Sequence, residues 1–219
     1  MSNLLKSRFF HQSDLKAEHF IFPLPQTWWS RIYEYAWASQ FVEEEDIALD
    51  AACGMSHPFK FHLAGRCKEV FACDLDPKIE SLVDVKQAIE NDFGPGSLAT
   101  LSNKELEDIK RIQFKQANLT QLPYESSSFT KVFCISVFEH LSPNDRLATL
   151  QEFKRTLKKN GLIVLTFDYP TIQIKELASL VSEVGLSFAG EVSTEIPNDV
   201  LFNDLWGRLY CYRSVLCHA

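Results

Sequence analysis

Asp50 and Asp74 are the residues whose type and place could hold a nucleotide. Asp50 follows the apolar run Ile47-Ala48-Leu49 and leads into a turn of small residues, Ala51-Ala52-Cys53-Gly54. Asp74 ends a second apolar run, Val70-Phe71-Ala72-Cys73. Strand, small-residue turn, helix, strand and acid is the order in which open α/β sheets build a nucleotide site. The turn lets backbone N–H groups approach the ligand, and the second acid accepts hydrogen bonds from ribose hydroxyls. Alanine at 52 and serine at 56 stand where glycines would be expected, and no G-x-G-x-x-G is present, which argues against a dinucleotide oxidoreductase. Further along, Glu139-His140 and Asp168-Tyr169 each follow an apolar run. His140 is the candidate general base, because an imidazole changes charge near neutral pH. Neighbouring residues at a helix start point apart, so His140 and Glu139 are not expected to act as a pair.

The elements that must position these groups follow from hydrophobic patterning. Strands are expected at 47–51, 69–74, 112–116, 131–136 and 161–167. The last two contain nearly continuous apolar runs, Val132-Phe133-Cys134-Ile135 and Leu162-Ile163-Val164-Leu165, which points to burial on both faces and a mainly parallel sheet between helices. Helices are expected at about 57–64, 77–92, 102–110, 143–158 and 171–184. Gly65 and Gly185 follow two of them in the C-cap place, and Ser102-x-x-Glu105 reads as a capping box. Gly94-Pro95-Gly96 sets off 97–110 as a helical insertion. Ahead of the sheet, Trp29, Ile32, Tyr33, Ala36, Trp37 and Phe41 share one helical face after Pro23 and Pro25. Residues 1–22 form a shorter helix or lie over the surface. Residues 1–42 are thus read as an N-terminal helical cap and 43–219 as the main domain. The runs near 188–195 and 208–218 suggest an antiparallel hairpin at the sheet edge.

The chain has 219 residues, 46% of them hydrophobic and 23% charged, enough for one domain with a full core. Its net charge of −7 argues against nucleic acid as a partner, since a basic face is needed to displace phosphate counterions. Lys154, Arg155, Lys158 and Lys159 cluster at an expected helix end, where they complement the dipole. The six cysteines form no CxxC pair, and the spacing of His57, His62, Cys67 and Cys73 fits no zinc signature, so no metal is expected. Lys6, Arg8 and His11 interrupt the apolar start, so no signal peptide is expected, and no run is long enough for a membrane span. A cytoplasmic protein with reduced thiols is expected.

Five stretches, in order over residues 47–167, resemble the motifs of the class I S-adenosylmethionine-dependent methyltransferases, in particular the branch acting on small molecules. Leu49-Asp50-Ala51-Ala52-Cys53-Gly54-Met55-Ser56 is similar to L-D-x-G-C-G-x-G. Ala72-Cys73-Asp74-Leu75-Asp76-Pro77 is similar to the second motif, and Ala117-Asn118-Leu119-Thr120-Gln121-Leu122-Pro123-Tyr124 to the third. Ser136-Val137-Phe138-Glu139-His140-Leu141 is similar to the S-V-x-E-H-L ending of the fourth strand. Arg155-Thr156-Leu157-Lys158-Lys159-Asn160-Gly161-Leu162 is similar to the R-V-L-K-P-G-G-x turn into the fifth, with asparagine for its first glycine. Residues 28–37 resemble a leading helix that some members place before the sheet.

The resemblance implies a single Rossmann-like α/β domain, with a seven-stranded, mostly parallel sheet, an antiparallel edge strand and helices on both faces. It implies S-adenosyl-L-methionine as cofactor and methyl transfer to a small organic acceptor by in-line displacement. Asp50 would order the turn and attract the cofactor's amine, and the amides at Ala52, Cys53 and Gly54 would approach it, with Ala51 and Ser136 beside them. Asp74 would accept from the ribose, Asn118 from the adenine amine in place of the usual aspartate, and Leu75 and Leu119 would sandwich the ring. Ala52 fits if its φ is negative, and Ser56 would narrow the space at the amino-acid end. Asp168 and Tyr169 would face the acceptor with His140, and Arg31, Tyr33 and Glu34 would close over it. The metal-binding E-x-x-E-H set of ubiquinone-pathway O-methyltransferases has Ser136 in its first place here, so no metal is implied. A catalytically silent relative, kept as a binding or scaffolding module, is the alternative that the altered glycines motivate.

Overall fold

A computed structural model describes residues 3–205 and 207–219. The chain runs β1 (Arg8–Phe9), β2 (His19–Phe20), β3 (Phe22–Pro23), α1 (Arg31–Ala38), β4 (Ile47–Ala51), α2 (Phe59–Ala64), β5 (Glu69–Asp74), α3 (Leu82–Phe93), α4 (Asn103–Lys110) and β6 (Gln113–Gln116). It continues with β7 (Phe129–Ile135), α5 (Pro143–Thr156), β8 (Leu157–Tyr169), α6 (Ile174–Glu183), β9 (Leu186–Phe188), β10 (Phe202–Asn203) and β11 (Leu209–His218). The main sheet has nine strands in the order β1-β11-β8-β7-β4-β5-β6, and β9 and β10 also pair with β11. The strands β8, β7, β4, β5 and β6 are parallel, and β11 joins β8 antiparallel. This is the expected Rossmann-like sheet, enlarged at one edge. The short β10, β1 and β9 cover successive stretches of β11, so its outer edge is not left open.

The alternation of side chains along these strands divides the interior into two cores. Ala48, Phe133, Val164 and Val215 face α1, α2, α3 and α4. Leu49, Val132, Ile163, Leu165 and Leu216 face α5 and α6. Parity therefore places Asp50, Thr166 and Asp168 on the α1 face, and Ala51 and Tyr169 on the opposite one.

Local signals account for the helix boundaries. Ser102 and Glu105 form a reciprocal capping box at the start of α4. Ser81 and Ser142 cap α3 and α5, each accepting from a backbone N–H three residues on. Gly185 takes a φ of 70° after α6, whereas Gly65 stays right-handed. Lys154 and Arg155 lie in α5 but donate to Val184 and to the 122–124 loop, not to the end of their own helix, and Lys158 and Lys159 belong to β8.

The opening segment is neither a helix nor a loose drape. Among its described residues, β1 extends the sheet and β2 pairs with β3 before the single helix α1. No helix among the described residues is long and apolar enough to cross a membrane.

Candidate active site

Two cavities adjoin at the carboxyl ends of β4, β5, β7 and β8, and Arg31, His57 and Ser136 line both. The first, of about 340 Å³, is walled by the β4 turn, Asp50, Asp74, Leu75, Asn118 and Leu119. The second, of about 400 Å³, is walled by Trp28, Trp29, Glu139, His140 and Asp168. Both volumes fall within the range of about 300–1,000 Å³ usual for small-molecule sites.

The turn after β4 is pinned from both sides. Its amides face the second strand: Cys53 N donates to Cys73 O at 2.9 Å and Gly54 N to Asp74 Oδ2 at 2.8 Å. Its carbonyls face α2, where the buried Lys60 ammonium donates to Cys53 O, Gly54 O and His57 O at 3.2, 2.8 and 2.6 Å. The amides at 53 and 54 are thus engaged within the protein, contrary to the expectation that they approach a ligand. The turn instead presents carboxylates. Asp50 is 4% exposed, and its Oδ2 has no hydrogen-bond partner. Burial pushes the Asp50 carboxyl up to about 7, against the pull of Lys60 and with a further push from Asp74. Burial also lowers the pKa of Lys60.

Two departures from the motif resolve differently from expectation. Ala52 has a φ of 56°, not a negative value, so the alanine sits in the left-handed region that glycine usually supplies. Ser56 does not narrow the cavity, because its hydroxyl is turned away to hydrogen-bond Asp92 on α3. Gly54, with a φ of 61°, has a second reason to be glycine. A Cβ there would lie 2.5 Å from the ring of His57. That ring stacks on Trp28 at 4.1 Å and shares a 2.8 Å hydrogen bond with the Tyr35 hydroxyl. Burial, reinforced by Arg31 and Lys60, lowers His57 to about 3, so it is neutral.

Ser136 is also left-handed, with a φ of 47°, where β7 turns toward Val137. Its hydroxyl donates to Glu34 Oε1 at 2.6 Å. The same carboxylate accepts from Thr166 Oγ1 at 2.5 Å, Cys211 Sγ at 3.5 Å, Ser30 Oγ at 2.8 Å and Arg31 at 2.6 Å. Burial alone would raise the Glu34 carboxyl, but Arg31 and the hydroxyl donors outweigh it and hold the group below its usual range. Glu34 therefore lies beneath the site and joins α1 to the ends of β7, β8 and β11, instead of closing over a ligand. Tyr33 points elsewhere, donating to Gln12 O at 3.3 Å, and lines neither cavity.

At the second cavity the expected groups separate by parity. Asp168 faces the second cavity, whereas Tyr169, one residue on, packs against Phe9 and Tyr210 on the opposite face. Ala51 is buried in that same opposite core and lines neither cavity. Glu139 and His140 also diverge. His140 is exposed at the mouth, and Glu139 is 3% exposed, with Oε1 accepting from Asp168 N at 3.2 Å. Glu139 Oε2 and Asp168 Oδ1 are buried without partners. Burial raises Glu139 to about 8 and Asp168 to about 6.

Asn118, at the rim, has its Oδ1 accepting from Thr120 N at 3.0 Å, which leaves that oxygen a second lone pair. Sequence reasoning missed Lys60, Tyr35 and the indoles of Trp28 and Trp29 as lining or supporting groups. Lys60 left a signal, a lone cation inside the otherwise apolar run Phe59-Lys60-Phe61 just after the turn. The indoles left none, since their spacing fits a packed helix equally well.

The methyltransferase domain pattern matches residues 49–165, more than half of the chain. No curated protein sequence matches. Among solved structures, a TehB-like SAM-dependent methyltransferase from Corynebacterium glutamicum superposes with a TM-score of 0.57 at 15% identity, over 85% of this chain and 87% of that one. A SAM-dependent methyltransferase from Methanosarcina mazei gives 0.55 at 17% identity, over 83% and 96%. Magnesium protoporphyrin IX methyltransferase from Synechocystis, with SAM bound, gives 0.55 at 15% identity, over 84% and 76%. At these identities the likeness is one of fold. With the domain match and the motif order, it makes the chain a member of the methyltransferase-domain family, the class I S-adenosylmethionine-dependent enzymes.

Proposed function

We propose that this enzyme methylates a small organic acceptor held in the second cavity, with S-adenosylmethionine in the first. The cofactor supplies a methyl group on a sulfonium sulfur, which leaves as a neutral thioether. The observation that carries the reading is the buried, unpartnered Asp50 Oδ2 beside Asp74, in a cavity of suitable size at the ends of β4 and β5. That carboxyl fits the ammonium of the cofactor's amino-acid end. Asp74 keeps lone pairs for ribose hydroxyls beyond those given to Gly54 N and Asp76 N. Leu75 and Leu119 offer apolar faces for the adenine, and Asn118 Oδ1 retains one site for its amine.

The chain's own contribution is placement. Arg31, His57 and Ser136 stand at the boundary of the two cavities, where acceptor and methyl must meet in line. The Glu34 junction fixes Arg31 and Ser136, and the Tyr35–His57 bond with the Trp28 stack fixes the imidazole. Asp168, Glu139 and His140 are the groups on the acceptor side that can take a proton from an acceptor.

Calorimetry with S-adenosylhomocysteine tests the reading. Binding is expected, and Asp74→Ala should weaken it by about 1–3 kcal/mol through lost acceptors and a loosened Gly54 amide. No detectable heat at millimolar ligand would favour a catalytically silent relative. Unchanged affinity in the variant would move the cofactor elsewhere.

A further inference from the structure

The second cavity has a charge pattern that selects among acceptors, and this inference rests on the methyl-transfer reading above. Glu139 and Asp168 both line it, and one oxygen of each, Glu139 Oε2 and Asp168 Oδ1, is buried without a partner. They belong to neighbouring groups, since Asp168 N donates to Glu139 Oε1 at 3.2 Å. The cation nearest to hand, Arg31, is already engaged by Glu34 at 2.6 Å. His57 is flat against Trp28 and uncharged, and His140 stands exposed at the mouth. Trp28 and Trp29, both half-buried, add apolar surface to the same cavity. Two carboxyls with unfilled acceptor sites and two indoles, beside one guanidinium whose Nη1 is held by Glu34, form a receptor for a positively charged donor of hydrogen bonds. A carboxylate or phosphate acceptor would meet like charge there. A neutral alcohol would bring no charge to offset either carboxylate.

We propose that the acceptor is an amine, bound as its ammonium ion between the Glu139 and Asp168 carboxylates and the Trp28 and Trp29 indoles, and that the product is an N-methylated amine. Glu139 is the base. Its carboxylate takes one N–H proton, which frees the nitrogen lone pair and leaves a neutral carboxylic acid. The N–C bond then forms as the C–S bond breaks, the bonding pair going to sulfur, and the product leaves as a methylammonium. Asp168 stays ionised and holds the cation. The environments push the two carboxyls apart in the order this division needs, Glu139 higher than Asp168.

The test uses the full chain. Binding of S-adenosylhomocysteine is first measured by calorimetry, so that failure of the methyl-transfer reading shows separately. With that ligand saturating, tryptophan fluorescence follows titration with phenethylammonium, 2-phenylethanol and phenylacetate, and labelled-methyl transfer from S-adenosylmethionine to each is counted. Phenethylammonium is expected to bind at least about 10-fold more tightly than the alcohol and to be the preferred methyl acceptor, with phenylacetate not bound. Glu139→Gln and Asp168→Asn should each reduce that preference while leaving S-adenosylhomocysteine affinity in place. Equal binding of amine and alcohol, preference for phenylacetate, or no binding of any probe while S-adenosylhomocysteine still binds would each overturn the proposal. So would retention of the amine preference in both variants.

Discussion

The two cavities, proposed above as the donor and acceptor sides, share Arg31, His57 and Ser136 yet are built in opposite ways. The donor side is made by backbone: turns at the ends of β4, β5 and β7, with Ala52 and Ser136 in left-handed conformations and a lysine tying the carbonyls. The acceptor side is made by side chains from segments far apart in sequence, Trp28 and Trp29 before α1, Glu139 and His140 after β7, and Asp168 on β8. A backbone-built site leaves a local motif, because small residues and acids must occupy fixed places in a short stretch. A site built from side chains leaves only scattered residues, each with a bland alternative. The difference also sets what each side tolerates. Strain and pinned carbonyls hold the donor turn, whereas one buried carboxylate, Glu34, holds the frame of the acceptor side.

The largest effect is expected at that junction. Glu34→Ala removes the buried partner of half-buried Arg31 and of three hydroxyls, and should lower unfolding free energy by about 3–5 kcal/mol in urea titrations. An unchanged midpoint would show that the attachment of α1 does not depend on this carboxylate. On the donor side, Lys60→Met leaves three carbonyls of the turn without their donor and Asp50 without its counter-charge. A loss of about 1–3 kcal/mol and weaker S-adenosylhomocysteine binding are expected. Full affinity in this variant would mean that the turn holds its shape by strain alone.

The acceptor side should also be visible as a pH slope. Burial raises the folded-state Glu139 carboxyl from its ordinary 4.5 to about 8, so the folded protein binds the extra proton between those values. The stability this contributes is complete below about 4.5 and is lost as pH rises through about 8. Wild type should therefore lose stability relative to Glu139→Gln across that window in ligand-free melts, and a constant difference would contradict the buried, raised carboxyl. The smallest effect belongs to Ala52→Gly. A left-handed alanine costs about 1–2 kcal/mol, partly offset by the greater unfolded-state freedom of glycine, so a net gain of about 0.5–1 kcal/mol is expected. A loss in thermal unfolding would show that the alanine methyl contributes packing that outweighs the strain.

Much of the fold is legible in the chain itself. The ranges 47–51 and 69–74 coincide with β4 and β5, and the insertion resolves into a single 3-10 turn, Ser97–Thr100, followed by α4. Continuous apolar runs made β7 and β8 recognisable, because a strand buried on both faces has no polar side to show. The β1 pairing was not legible. Two residues, Arg8 and Phe9, carry no periodicity, and their place was decided by the free edge of β11. Of the residues lining the first cavity, Asp50 and Asp74 could be placed from their strand ends, and Asn118 and Leu119 from the motif resemblance. Ala51 and Tyr169 went astray for one reason, a strand parity that the motif does not state.

The sequence by itself determined the order of strands, helices and turns and hence the donor side, since those depend on local conformation and on which short stretches can be buried. Tertiary structure alone decided where the amides of the β4 turn point, that Glu34 lies under the site, and that Glu139 and Asp168 each keep an unpartnered oxygen at one cavity. Each of these depends on groups brought together by the sheet across wide gaps in the chain, and no local pattern records such a meeting.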